Sequence, residues 1–419
     1  LDFYPLRRLG GRVREWLSPA ALWVWFEKLP FAVIAALTAV KAVRAQAGQL
    51  ETMKSLAEHP LLPRVAQMLY GAAFYVWKTL LPFNLIPLYD LNQVQKDPWE
   101  PRFVISALGV IVALAVVLGL RRRWPAGLAL AACYLAIYSP VSGIAQSGPQ
   151  LVKDSYSYLC CLSWAVLLGG VLVWSHRRWG PRIFGGVAGA AVVGVTALGV
   201  SSWRQTGIWR DSKTLWAYTL RMDDQCALAH NNLAILQKQD GDLHAACTHY
   251  ERSLELNPAD ADTHFNYANC LKALKRYDEA IAQYRQAIEL QKVIPRRPVH
   301  EQAHINLGNT YRTLNRIPEA VEHHIAAAQA RRDPELEELI ARELRVLGRL
   351  EEAERYFRRA LQRDPGFFEA HFGLGQLLLQ RGECAEALRE LSRATDLQPD
   401  SQTAARELAR AQTECRKPR

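Results

Sequence analysis

Residues 227–258 read ALAHNNLAILQKQDGDLHAACTHYERSLELNP, and the pattern in this stretch recurs along the second half of the chain. With Ala227 as position 1, Leu233 and Ala234 fall at 7 and 8, Ala246 at 20, Tyr250 at 24 and Pro258 at 32. A second copy from Ala261 places Ala268 at 8, Ala280 at 20, Tyr284 at 24 and Ala287 at 27. Copies follow from Glu301 (Leu307, Gly308, Tyr311, Ala320, Ala327), from Pro334 (Ala353, Phe357, Ala360, Pro365) and from Phe368 (Leu374, Gly375, Leu378, Ala387, Ala394, Pro399). Small residues at 8, 20 and 27 let two helices approach closely. A large residue at 24 fills the space between them, and proline near 32 ends the second helix.

Five copies in one register resemble the tetratricopeptide (TPR) repeat, a pair of antiparallel helices that stacks into a solenoid. The reading gives five repeats over 227–401, with an insertion near 291–300 marked by Pro295 and Pro298. A junction helix is expected over 206–226, and a polar capping helix with a tail over 402–419.

Composition divides the chain at the same place. Residues 1–205 carry 20 Lys and Arg against 9 Asp and Glu, and the remainder carries 31 against 32. The basic excess sits wholly in the apolar half, so it is topology charge of a membrane domain rather than a nucleic-acid stripe. Apolar runs predict spans at about 22–43, 103–120, 124–142, 156–174 and 183–200. Arg121–Arg123 and the His176-Arg177-Arg178 cluster fix the cytoplasmic ends, which puts the loop 143–155 and the repeats outside the cytoplasm. Residues 64–89, with Arg64, Gln67, Lys78, Pro82 and Pro87, are expected to be interfacial or re-entrant, because another full crossing would turn Arg121–Arg123 outward. The fold class is therefore all-α: a multi-span helical membrane domain followed by a TPR solenoid. The expected location is the bacterial inner membrane.

The eight cysteines have no metal-ligand spacing, and neither a P-loop nor a dinucleotide fingerprint is present. No metal site is predicted. Most cysteines are expected to be small buried hydrophobes, with a disulfide open to the array if it faces an oxidising compartment.

Several blocks line up with one family: YPLRRLG at 4–10, EKLPF at 27–31, KTLLPFNLIPLY at 78–89, KDSYSYL at 153–159 and WRDSKTLW at 209–216. In this order they resemble the C-terminal part of the transmembrane-and-TPR proteins of the GT-C glycosyltransferase superfamily. That resemblance implies a polyprenyl-phosphate sugar donor and a polypeptide acceptor. It also puts the catalytic acidic loop upstream of Leu1. The family has arginine and proline where this chain has Ser155 and Cys160.

Sugar transfer of this kind needs a carboxylate for the acceptor hydroxyl proton, cations for the phosphate and a groove for the lipid. Asp154 is the candidate carboxylate, Tyr156 and Tyr158 are its interface supports, and Lys78 and Arg102 are candidate phosphate partners. Each has a plainer reading as an N-cap, a belt aromatic or a snorkelling cation. In the repeats, position 6 is Asn232, Asn266 and Asn306, with Asn269 and Asn309 one turn further on the same face. Such amides offer donor and acceptor to an extended polypeptide backbone. The expected partners are membrane lipid and a polypeptide acceptor; nucleic acid is not expected. The alternative is a membrane-anchored TPR scaffold without chemistry.

Overall fold

The computed structural model describes residues 18–47, 59–87, 89–90, 97–143, 150–152, 157–291 and 298–416. The chain divides into two units, Leu1–Leu233 and Ala234–Arg419.

The first unit contains α1 (Pro19–Phe26), α2 (Leu29–Ala47), α3 (Leu61–Leu80), α4 (Pro101–Gly119), α5 (Pro125–Tyr138), α6 (Ser157–Thr206) and α7 (Ser212–Met222). Proline stands in the first turn of α1, α4 and α5, where its missing N–H costs nothing. Among the described residues, three helical stretches are long and apolar enough to cross a membrane: Ala21–Thr38, Pro101–Gly119 and Trp164–Thr206. Helix α5 is equally apolar but spans 14 residues. A short ribbon interrupts the all-helical pattern, with β1 (Tyr89–Asp90) antiparallel to β2 (Gln150–Val152).

Helix α3 is held along its length by side-chain-to-backbone bonds. Gln67 Nε2 donates to the Leu151 carbonyl (2.9 Å), while the Tyr138 and Tyr134 hydroxyls donate to the carbonyls of Met68 and Ala72 (2.7 Å each). Gly71 is required beneath Tyr138, since a Cβ there would fall 2.5 Å from the hydroxyl. The chain then doubles back. The Tyr89 ring lies 4.9 Å from that of Phe74, about two turns before the end of α3.

Helix α6 runs for 50 residues with a break at Gly180, whose φ of 76° precedes Pro181. A straight helix would carry Trp164 and Gln205 about 60 Å apart. Instead Trp164 lines a cavity with Trp77 and Leu80, and Gln205 Nε2 donates to the Leu85 carbonyl at 2.8 Å. The break therefore turns the helix back on itself, between the two apolar runs read from the sequence.

Helix α8 (Ala227–Gln239) carries the boundary between the units. The second unit continues with α9 (Leu243–Leu256), α10 (Ala261–Ala273), α11 (Tyr277–Gln291), α12 (Pro298–Thr313), α13 (Ile317–Ala330), α14 (Pro334–Val346), α15 (Leu350–Arg363), α16 (Phe368–Gln380), α17 (Cys384–Leu397) and α18 (Gln402–Glu414). Its core is the repeat pattern itself. Ala268, Ala280, Tyr284, Ala341, Ala353, Phe357, Ala387 and Leu391 are fully buried. Asp242, Asp260, Asp333 and Ser401 cap α9, α10, α14 and α18 through backbone N–H groups in the first turn.

Position 15, between the two helices of each repeat, takes a left-handed backbone in all five copies: Gly241, Lys275, Asn315, Gly348 and Gly382. A disulfide between Cys384 and Cys415 ties the start of α17 to the end of α18, spanning 31 residues. The insertion near 291–300 falls mostly on residues 292–297, outside the described residues.

Candidate functional site: the concave face of the repeats

The first helices of repeats three to five build a cleft of about 550 Å³. Its residues come from recurrent positions: Gln302, Glu335 and Glu369 at 2, Ile305 and Glu338 at 5, Arg342 at 9 and Arg312 at 12. Spacings of three and four put these on one face of each helix. Leu336, Leu339 and Phe367 supply the apolar floor. Burial raises the Glu338 carboxyl above its ordinary range, opposed by Arg342, whose Nε lies 3.3 Å from Glu338 Oε1.

None of the five asparagines lines this cleft, and one pair of them joins repeat two to repeat three. Asn306 Nδ2 donates to Asn269 Oδ1 (2.8 Å), which also accepts from the core Tyr284 hydroxyl (2.6 Å). Asn306 accepts in turn from Gln302 (3.3 Å), and Asn309 accepts from Arg312 (3.2 Å). Three of the five amides thus carry protein partners. Asn266 on α10 and Asn232 on α8 have no side-chain bond among the described residues.

The candidates in the apolar half are also engaged. Lys78 Nζ donates to the carbonyls of Phe83 (2.6 Å) and Asn84 (3.1 Å) in the stretch that follows its own helix. Arg102 pairs with Glu100 at 2.7 Å and lies over the Phe103 ring. Asp154 and Tyr156 lie outside the described residues, and Tyr158 falls in the first turn of α6. A second cavity of about 460 Å³ is lined by Ala72, Val76, Trp77, Leu114, Trp124 and Leu167, among other mostly apolar residues.

Two features escaped the sequence reading. One is a histidine at position 4. His264 and His371 each bridge the carbonyl of the proline closing the preceding repeat (3.1 Å) to a partner on the second helix, Gln283 (2.6 Å) or Glu390 (2.6 Å). The other is a buried pair, His324 Nδ1 to Glu343 Oε2 at 2.8 Å, joining repeats three and four. Lining up position 4 down the five copies would have exposed the first; nothing in the spacing announces the second.

Residues 227–260, 259–333 and 339–401 match models of the tetratricopeptide repeat. The array is therefore a TPR solenoid, a protein-interaction domain. A search of the curated proteins gives no significant match. Solved structures similar to the array include YrrB, described as a TPR protein with an unusual peptide-binding site. It is 22% identical, with 46% of this chain and 96% of that chain covered and a TM-score of 0.41. Two others are pilF of Pseudomonas aeruginosa (20%, 51% and 95%, 0.38) and MamA of Desulfovibrio magneticus (17%, 42% and 97%, 0.36).

Proposed function

We propose that this chain is part of a membrane glycosyltransferase of the GT-C type whose TPR array, outside the cytoplasm, holds a polypeptide acceptor. The observation that carries the binding half is the cleft built from recurrent first-helix positions, with an apolar floor and charged walls. An extended chain laid across successive first helices meets the same positions repeatedly, which suits a polymer better than a compact ligand.

Membrane insertion is supported by the three apolar stretches, by Arg121–Arg123 at the end of the second and by the basic cluster His176-Arg177-Arg178 that interrupts the third. The extracytoplasmic placement is supported by the Cys384–Cys415 disulfide, because such bonds persist in oxidising compartments. The doubling-back after α3, which returns Tyr89 beside Phe74, favours a re-entrant segment over a further crossing. The apolar cavity between α3, α4, α5 and α6 is sized for part of a lipid tail, as a polyprenyl-phosphate donor requires. Asp154 keeps its proposed supporting role through the family resemblance alone.

The test is titration of the full chain in detergent with unfolded labelled polypeptide, before and after attaching a bulky maleimide at Glu335→Cys. Binding lost on labelling supports the cleft; unchanged binding places the polypeptide elsewhere. Membranes supplied with a lipid-linked sugar separate the two functional readings. Retained binding with no transfer by the complete natural protein leaves the scaffold.

A further inference from the structure

Two sulfurs meet in the seam between repeats one and two, Cys247 on α9 and Cys270 on α10. Cys247 Sγ donates to Cys270 Sγ at 3.1 Å, and Cys270 Sγ donates to the Leu243 carbonyl at 3.3 Å. Both side chains are buried. A disulfide bond measures about 2.05 Å, so the sulfurs stand about 1 Å from bonding distance.

The register of the seam matches that of the bond already present in the array. Cys247 is position 21 of repeat one, and Cys270 is position 10 of repeat two. Cys384 is position 17 of repeat five, and Cys415 is position 14 when α18 is counted as a sixth first helix from Gln402. One turn forward along the second helix, from 17 to 21, and one turn back along its antiparallel neighbour, from 14 to 10, carries the one pair onto the other. Where the bond is made, the Cα atoms lie 5.6 Å apart. Cys247 and Cys270 thus occupy the next rung of the same ladder, in the first seam instead of the last.

We propose that Cys247 and Cys270 are joined by a second disulfide in the natural protein, which staples repeat one to repeat two. The inference rests on the extracytoplasmic placement of the array, because the oxidant is a disulfide of an oxidising compartment. Burial, and then the Cys270 sulfur beside it, push the Cys247 thiol up to about 12. The closed seam therefore holds little of the thiolate that exchange requires, and the bond forms before the helices finish packing. One cysteine thiolate attacks the oxidant's disulfide and displaces one of its sulfurs, leaving a mixed disulfide. The other thiolate attacks the array's sulfur in that bond and expels the oxidant's second sulfur. Two electrons pass to the oxidant, which takes up the two protons and leaves as two thiols.

The experiment uses the full chain in the membranes of a bacterial host. Free thiols are blocked with N-ethylmaleimide during lysis and denaturation, and the protein is digested with trypsin without reductant. Cleavage at Lys238, Arg252 and Lys272 puts the two cysteines on separate peptides, 239–252 and 253–272. Their covalent pair, two hydrogens lighter than the free peptides together and split by dithiothreitol, is the expected result. Cys247→Ala should abolish it and leave Cys270 alkylated, whereas Cys384→Ala with Cys415→Ala should leave it intact. Linkage of peptides 382–389 and 411–416, with Cys247 and Cys270 both alkylated, overturns the staple and spares the placement of the array. Alkylation of all four cysteines overturns the staple and the placement together. Linkage of Cys247 or Cys270 to Cys226 overturns the pairing.

Discussion

Gly308 shows how tightly the array is built at single positions. A Cβ there would meet the His324 ring at 2.5 Å, and that ring is fully buried against Glu343. Gly308→Ala should cost about 1–3 kcal/mol, because neither the ring nor its carboxylate has space to yield. Urea unfolding of the variant measures it. A second residue-scale prediction concerns acid. Burial, reinforced by Arg285, holds the His323 imidazole below its ordinary value, and its Nδ1 faces His304 Nδ1 at 3.0 Å. One of those nitrogens must carry the proton and the other accept, so a second proton sets two donors face to face. The unfolded chain therefore takes up a proton that the folded chain refuses. The stability this gives is complete above about pH 6.5 and is lost as pH falls through that range toward the lower folded value. Unfolding free energy measured from pH 7 to 5 should fall more steeply for the natural chain than for His323→Phe.

Turns and seams decide the behaviour of the elements. Lys275 adopts φ 63° where three other repeats use glycine. Lys275→Gly should raise stability by up to about 1 kcal/mol, since relief of the left-handed strain exceeds the added entropy of the unfolded chain. The Cys384–Cys415 bond closes 31 residues, and its removal by paired Cys→Ala changes should cost about 3–4 kcal/mol. Hydrogen exchange should then quicken in α17 and α18 while the earlier repeats are unaffected. The helix pairs themselves were legible because small residues at 8 and 20 and a bulky one at 24 leave a periodic trace in composition. The glycines at position 15 left the same kind of trace, but Lys275 and Asn315 blurred it. The inter-repeat bonds of Asn269 and Asn306 were hidden, because a sequence shows which amides share a face and not which of them meet.

For the molecule as a whole, the disposition across a membrane is the testable property. Single cysteines introduced at Gly148 and Gly241 should react with impermeant maleimide in intact cells, whereas one at Arg122 should react only after permeabilisation. Protection of both outer positions would invert the topology and bring the array into a reducing compartment, where the disulfide would not persist. The apolar half was legible only in outline. Hydrophobic length marked the apolar runs, and the arginine clusters marked their ends. The reversal after α3 depends on Tyr89 meeting Phe74 and Val152 across long sequence separations, which no local pattern encodes.

The disulfide at the C-terminal end also gives the array a direction. A stack of repeats held by nearest neighbours opens like a zipper, from whichever end frays first. Cys384 and Cys415 put a stop on one end. Under oxidising conditions unzipping cannot begin with the last helix, and two electrons delivered to one sulfur pair release that stop. Reduction of that bond should therefore let unfolding start at α18.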